Sequence, residues 1–474
     1  MRTGPFLRHE NATNKMMKNL FFALLPILFF GFYKNGIAPF LKGYATIYGM
    51  IYPLLLVFVS VMTSYVSEYT FIRIIKKRGK EDTKREMKQS FWLFPGLFLS
   101  LIVPYNTPLF LIAIASFIAS ILGKMLYGGF GYNLFNPALI GCLFLLTFYG
   151  PQITSMGGYL NTEEIRVISG ATPLSNVSLV EGIGSYDTLV KPYGTLFDFF
   201  LGTIPGAIGE TSACLCIFAF LFLSYKRVIK WKIPTFYIGT VFLLTGIVGG
   251  MNGVGIWYPT FHILSGGLLF GAIFMATDPI TSPITSIGQV LYAILLGILT
   301  VTFRYLSPLP EGVLTSILTM NLFVPILDKI GSSRGNASKK MAFPLLACFL
   351  LAIFVVQHIV GQYTQTETGD PNFTIVHEEE DGNKKIYIVT QKGNGGLIQS
   401  KLTVENGKVL SFQVLEEQET DAYYQMVLDA NYVDLLLKNQ DKIEEVDTVS
   451  GATISSKALK KTMINVLKEA GVLK

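Results

Sequence analysis

The tetrapeptide Ser-Gly-Ala-Thr occurs twice in the chain, as Ser169, Gly170, Ala171 and Thr172 and again as Ser450, Gly451, Ala452 and Thr453. In each copy the threonine stands where a helix is expected to begin. A helix start offers unpaired backbone N–H groups and the positive end of the dipole, which together favour a phosphate. The glycine permits backbone conformations that other residues resist, and the alanine keeps the approach open. A threonine hydroxyl there could hold a phosphate non-covalently or as an ester. The same residues also suit an ordinary N-cap, with Ser450 or Thr453 capping the last helix. Pro173, directly after Thr172, fits the first turn of a helix, where its missing N–H costs nothing.

The elements that must position these residues are read from composition and periodicity. With 474 residues, 51% hydrophobic and 15% charged, the chain has more apolar surface than a soluble core of that size could bury. It reads as a membrane protein. Eleven apolar stretches are candidates for the ~20-residue length of a spanning helix, at roughly 19 to 34, 45 to 66, 90 to 104, 106 to 125, 134 to 149, 208 to 225, 233 to 250, 258 to 276, 286 to 304, 311 to 328 and 341 to 361. The basic segments "RIIKKRGKEDTKREMK", "YKRVIKWK" and "SSRGNASKK" follow the second, sixth and tenth. This places the N-terminus in the cytoplasm and the C-terminus outside, with only scattered cations such as Lys191 and Arg304 in the outer loops. The basic N-terminus lacks a small-residue cleavage site after its first apolar run, so that run reads as a retained anchor. Both Ser-Gly-Ala-Thr copies then face the same, outer, compartment.

After the last apolar stretch, "TQTETGDPNF" opens a polar segment. Residues 365–474 carry 18 Asp or Glu against 12 Lys and no Arg. Such an acidic tail argues against binding nucleic acid or anionic lipid. "KKIYIVTQ", "QSKLTV" and "KVLSFQVLE" alternate with period two, and Asn406-Gly407 is a turn pair that hairpins prefer. From Ile454 the spacing of Ala458, Leu459, Met463, Val466, Leu467 and Ala470 is helical, with Gly471 at the end. The tail is thus expected to be a small α+β domain whose closing helix starts at Thr453. The fold class is a polytopic α-helical membrane protein of about ten spans plus one anchor span, followed by this extracytoplasmic domain. The divisions are 1–335 for the membrane domain, 336–364 for linker and anchor, and 365–474 for the tail.

Ion movement would need polar groups within the membrane. Glu210 in "GETS" and Asp278 in "TDP" stand near span ends beside glycine or proline, where an interrupted helix can expose carbonyls to a cation. Asn133 and Asn136 add oxygen ligands. Each of the four also reads as an interfacial helix cap. Cys142, Cys214, Cys216 and Cys348 lie in apolar spans with no iron–sulfur or zinc spacing, so no metal site is expected. His262, within a span and with no second His nearby, reads as a helix-packing or pocket residue rather than a metal ligand.

The Ser-Gly-Ala-Thr sequences resemble the flavin attachment motif of the Rnf and Na-translocating NADH:quinone reductase families. "GGFGYNLFNPALIG" (Gly128 to Gly141), "GAIGETS" (Gly206 to Ser212) and "HILSGGLLFGAIFMATDPITSP" (His262 to Pro283) are similar to signatures of the membrane subunit called D in Rnf and B in the quinone reductase. In the tail, "GNGGLI" (Gly393 to Ile398), Glu419-Thr420 and "VDTVSGATISS" (Val446 to Ser456) resemble the FMN-binding domain of the neighbouring subunit, G in Rnf and C in the reductase. The chain looks like a fusion of the two.

The resemblance implies FMN joined through its phosphate to Thr453 and to Thr172, with Ser169, Gly170, Ala171, Pro173, Asp447, Ser450, Gly451, Ala452, Glu419 and Thr420 forming the surroundings. It implies a diflavin subunit that relays electrons between the FMN groups and couples the relay to Na+ or H+ movement, in a bacterial cell membrane. It further implies iron–sulfur, NAD-binding and membrane subunits as partners, a flavin transferase for maturation, and a place for additional non-covalent riboflavin. The compact D-like part, without a long N-terminal extension, favours Rnf over the quinone reductase. Two departures stand out: Arg166 occupies the position three before the serine where the tail has Asp447, and Asp421-Ala422 follows Glu419-Thr420 in place of the usual Pro-Gly. A multi-span transporter or channel with an appended domain is the alternative from another class.

Overall fold

The computed structural model describes residues 10–155, 173–174, 184–210, 212–306, 312–332, 337–364, 373–381, 384–393, 396–405, 407–419, 421–449 and 452–470. The chain divides into two compact units, the division falling between Ile359 and Val360.

Among the described residues of the first unit, six helices are long and apolar enough to cross a membrane: Thr13–Leu41, Ile47–Ile75, Leu109–Tyr127, Lys232–Met251, Ser286–Leu306 and Gly312–Ser332. A seventh apolar segment is a bent pair, Trp257–Leu264 and Leu268–Met275, whose halves meet at 65°. The stretch expected as one helix over 258–276 is therefore broken. The break falls at Ser265, Gly266 and Gly267, and Gly266 takes φ +66°, a conformation in which a Cβ is strained. Four further apolar stretches are Leu93–Ile102 and Ala213–Tyr225, which are short helices, and Pro137–Gly150 and Pro344–Val360, which lie within the longer helices Pro137–Ser155 and Ala337–Thr364. At 1.5 Å per residue, a ten-residue helix covers roughly half of a ~30 Å hydrocarbon core. A turn at Pro104 follows Leu93–Ile102, and an asparagine cap at Asn136 starts Pro137–Ser155. Hydropathy located all eleven segments but not the length of each helix.

Small residues let the helices approach closely. Ser60 donates to the Gly96 carbonyl at 2.7 Å, and the Ser60 and Ser116 hydroxyls meet at 2.7 Å. A Cβ at Gly96 would collide with the Ser60 backbone.

The second unit contains a four-stranded antiparallel sheet in the order β1 (Phe373–Asp381), β2 (Lys384–Lys392), β3 (Leu397–Glu405), β4 (Lys408–Glu417). The sequence pattern indicated the last three. β1 was missed because its run of Glu378, Glu379, Glu380 and Asp381 hides the alternation; it is an edge strand, where charge is tolerated and limits further pairing. Gly407, at φ +77°, sits in the two-residue turn between paired Glu405 and Lys408, while Asn406 lies outside the described residues. Two short helices, Asp421–Asp429 and Tyr432–Lys438, were not expected. The closing helix runs Thr453–Glu469, starting where the periodicity put it; Gly471 lies outside the described residues. Its Leu459, Met463 and Val466 pack on Tyr387, Val389 and Leu402 of the sheet.

Tyr432 is 1% exposed and its hydroxyl has no hydrogen-bond partner among the described residues. Burial, helped by the nearby Asp447 carboxylate, raises its pKa. A folded-state pKa above the unfolded value means that this stability is intact below about pH 10 and is lost as pH rises past it. Tyr432→Phe removes both the orphaned hydroxyl and the alkaline loss. Proteolysis of the tail in the full chain should therefore be slower for Tyr432→Phe, with the margin widening above about pH 10.

Candidate functional sites

The first Ser-Gly-Ala-Thr copy, Ser169 to Thr172, lies outside the described residues, as does Arg166, but the two residues after it are placed. Pro173 and Leu174 are buried. Leu174 packs against the break in the bent helix: a Cβ at Gly266 would lie 3.0 Å from Leu174 Cδ2 and 3.8 Å from Arg304 Nη2. At the next glycine, a Cβ on Gly267 would strike the Glu210 carboxylate. The turn thus has no side chains because four chain segments meet there. Arg304, 2% exposed, holds the turn from behind, donating from Nη1 to the His262 carbonyl at 2.6 Å and from Nη2 to the Ser265 carbonyl at 3.4 Å. These are the last carbonyls of the first half-helix, which the break leaves without intrahelical partners. His262 is fully buried; its Nε2 meets the Tyr305 hydroxyl at 3.1 Å, and Tyr305 meets Tyr258 at 2.6 Å.

Leu174, which follows the first copy, Glu210 of "GAIGETS" and the glycines of "HILSGGLL", far apart in the sequence, therefore converge on one turn. Arg304 was missed as a site residue because a lone arginine at the end of an apolar helix reads as a topology signal.

In the tail, Ala452 is buried and occupies the N-cap, and among the described residues no side chain caps the helix. Ser450, Gly451 and Thr420 lie outside the described residues. Thr453 is the first helical residue and is partly exposed. The approach to it is fixed by Ser456, whose hydroxyl accepts from the Val449 N–H at 3.1 Å and donates to the Ala452 carbonyl at 2.9 Å. Capping by Thr453 is thus not what starts this helix. Ser455 donates to the buried Glu419 carboxylate. A Cβ on Gly393 would collide with that same carboxylate, and one on Gly396 with Gln418. Gly393 N–H to Gly396 O, at 2.7 Å, closes the loop. The glycine loop, Glu419 and the start of the closing helix, chosen from three parts of the tail, come together, whereas Asp447 is exposed and lies beside Tyr432. Tyr424 is held above the usual tyrosine range by burial and by Glu417 and Glu419.

Asn133, Asn136 and Asp278 share a third place, a cleft they line together with Phe91, Phe98 and Phe274. Asn136 caps its helix, accepting from Ala138 N–H at 3.1 Å, and Asn133 donates to the Phe135 carbonyl at 3.0 Å. Thr281 donates to Asp278 at 2.9 Å. Glu210, the fourth ion candidate, is not with them. Lys124 also lines this cleft and was not anticipated. Its ammonium lies 2.5 Å from Glu68 Oε1 and 2.6 Å from the Ser90 carbonyl, and Ser90 donates to Glu68. Glu68 is 0% and Lys124 2% exposed.

Comparison with known proteins accounts for both units. The chain is 36% identical over 331 residues to the D component of the proton-translocating ferredoxin:NAD(+) oxidoreductase complex of Clostridium ljungdahlii, covering 69% of this chain and 92% of that protein. It is 31% identical over 336 residues to the D component of the Na(+)-translocating ferredoxin:NAD(+) oxidoreductase complex of Acetobacterium woodii, covering 70% and 93%. It is 36% identical over 254 residues to the B component of the Na(+)-translocating NADH-quinone reductase of Yersinia pestis, covering 52% and 60%. Residues 393–468 match the FMN-binding domain family. Residues 1–335, which contain the broken helix, its glycine turn and the asparagine cleft, match the NQR2, RnfD, RnfE family, and the chain belongs to that family.

Proposed function

We propose that this chain is the diflavin subunit of an Rnf-type ion-translocating electron transport complex, with FMN held as a phosphoester on Thr453 and on Thr172. The observation that supports the reading is a similar construction near both copies: glycines that a buried carboxylate approaches closely, Glu210 at Gly267 and Glu419 at Gly393, with Leu174, just after the first copy, beside the one and the helix that starts at Thr453 beside the other. FMN supplies one- and two-electron chemistry when bound, and the protein supplies placement and charge. Thr453 and Thr172 provide the ester oxygens. Glu419, fixed by Ser455, and Glu210, against Gly267, set the polarity beside them. The helix Ala337–Thr364 is the tether that keeps the tail, residues 365–474, at the membrane domain, residues 1–335.

The eleven apolar segments are read as about ten crossings and one anchor, N-terminus cytoplasmic and tail extracytoplasmic, because the basic stretches follow the second, sixth and tenth, which such a topology puts on one side. Similarity to two D components over nine-tenths of their length favours the Rnf complex, with ferredoxin:NAD+ oxidoreduction by the whole assembly and its other subunits as partners. The quinone reductase reading follows from the shorter match to the B component of that enzyme. The Phe-lined cleft offers aromatic faces and two amides, which suits a non-covalent isoalloxazine such as riboflavin, with Asp278 at its edge as the carboxylate for a moving Na+ or H+. Asn133→Leu is expected to abolish acid-extractable riboflavin while leaving covalent flavin unchanged; equal extractable flavin in both proteins would remove the cleft from the reading.

The test of the whole is ultraviolet-excited fluorescence of the denatured chain on a gel, after expression with a flavin transferase. A fluorescent band is expected. A dark band would favour the transporter or channel reading, in which neither threonine carries a cofactor.

A further inference from the structure

Asn321 stands within the helix Gly312–Ser332 and is 1% exposed. A buried amide is costly unless its hydrogen bonds are met, so an apolar residue would be the ordinary choice at such a place in a membrane domain. We infer that Asn321 is a positioning residue for the Phe-lined cleft, tying its asparagine wall to its aspartate wall and thereby setting the affinity for a ligand held between them. This rests on the reading of the cleft as a place for a non-covalent flavin.

The amide reaches two segments that are far apart in the chain. Turned so that both of its ends are satisfied, its Oδ1 accepts from the Asn136 N–H at 3.1 Å, and its Nδ2 donates to the Thr281 carbonyl at 3.2 Å and to the Ile317 carbonyl at 3.1 Å. Asn136 and Asp278 line the cleft, whereas Asn321 and Thr281 are not part of its lining. Asn321 therefore acts through others. On one side it bonds Asn136 itself, whose own side chain accepts from the Ala138 N–H at 3.1 Å and starts the next helix. On the other it holds Thr281, whose hydroxyl donates to the Asp278 carboxylate at 2.9 Å.

The loop that carries Asp278 hangs from this one helix at two points. Two turns after Asn321, on the same face, Asp328 accepts from the N–H groups of Ile284 and Thr285 at 3.0 and 2.8 Å. Asp328 fixes the far end of the loop, and Asn321 joins its near end to the asparagine segment. An apolar side chain of similar size in place of the amide takes this partner from the Asn136 N–H and from the Thr281 carbonyl, and each wall can then shift by itself. A ligand that needs both walls at once loses affinity, because placement that the fold had supplied must be supplied by binding.

The experiment uses the full chain in detergent, expressed without a flavin transferase, so that only non-covalent flavin reports. Riboflavin is titrated in, and its dissociation constant is read from the quenching of its own fluorescence. Asn321→Leu is expected to weaken riboflavin about tenfold, the size of one lost hydrogen bond. Asn321→Asp keeps the shape, and its carboxyl in the acid form, which a buried site favours, can accept from Asn136 and donate to Thr281. That variant should bind as the parent does. A residue that only fills space would give the opposite order, since leucine fills the site as well as aspartate. An Asn321→Leu protein with parental affinity overturns the inference, as does an Asn321→Asp protein as weak as Asn321→Leu. If Asn321→Leu does not insert, the aspartate variant decides alone: parental affinity supports the hydrogen-bonded tie, and a tenfold loss overturns it. A parent that does not bind riboflavin removes the flavin reading of the cleft, and the role of Asn321 with it, whereas a binding parent with an indifferent Asn321 removes only the latter.

Discussion

Thr453→Val and Thr172→Val each remove half of the covalent flavin fluorescence of the denatured chain, and the double variant is dark. Valine is close to threonine in shape but has no oxygen, so it cannot form the ester. The fold should be indifferent to the change at Thr453. That residue is the first of its helix, partly exposed, with the cap position occupied by Ala452. Ser456, not Thr453, ties the preceding segment at Val449 to the helix start, so no cap worth about 1 kcal/mol is lost. The loss of signal is therefore all or none at each site. The two copies differ in one respect that the gel will expose. Asp447 stands three residues before Ser450, whereas Arg166 stands at the matching position before Ser169. A full signal that depends on Thr453 alone would mean that the transferase does not accept the first copy.

Lys124→Ala is expected to destabilise the membrane unit by about 3–5 kcal/mol, because it strands the Glu68 carboxylate. Glu68 is wholly buried, and Lys124 and Ser90 are its hydrogen-bond partners. The pair itself adds little beyond an apolar replacement of similar volume; the damage comes from removing one member. Glu68→Leu with Lys124→Met should thus be much closer to wild type than Lys124→Ala alone. Thermal aggregation of the detergent-solubilised full chain measures the difference. A Lys124→Ala protein as stable as the parent would show that Glu68 does not depend on this cation for its place in the core. Lys124 also borders the cleft of Asn133, Asn136 and Asp278, so its loss should loosen any ligand there as well.

Much of the tail could be read directly. Tyr387 and Val389 alternate inward because successive strand residues point to opposite faces, and Leu459, Met463 and Val466 recur at the helical period. These are local relations, fixed by backbone geometry within a few residues. β1 escaped because at an edge strand solvent tolerates charge and the alternation disappears. Hydropathy located the eleven apolar segments for the same local reason. It could not show that the segment over 258–276 turns through 65°, since leucine and phenylalanine are equally apolar on either side of a break.

The sites divide along the same line. The repeated Ser-Gly-Ala-Thr was visible as a turn suited to holding a phosphate, the glycine loop at Gly393 and Glu419 as carriers of the family resemblance, and Glu210 as a candidate for ion movement. Which of them meet was not visible. Glu419 meets Ser455 and faces Gly393, Glu210 is parted from Asp278 and the asparagines, and Lys124 joins Glu68 across 56 residues of chain. Arg304 is the sharpest case, being 130 residues after Leu174 in the chain and beside it in the fold. By itself the sequence determined the two-part architecture, the flavin-type motifs and the period of each element, because these depend on near neighbours. Only the tertiary structure decided the broken helix, the buried ion pair and the cation behind the glycine turn. Those depend on how closely helices distant in sequence can pack, which in turn depends on where the glycines and serines of one helix meet the backbone of another.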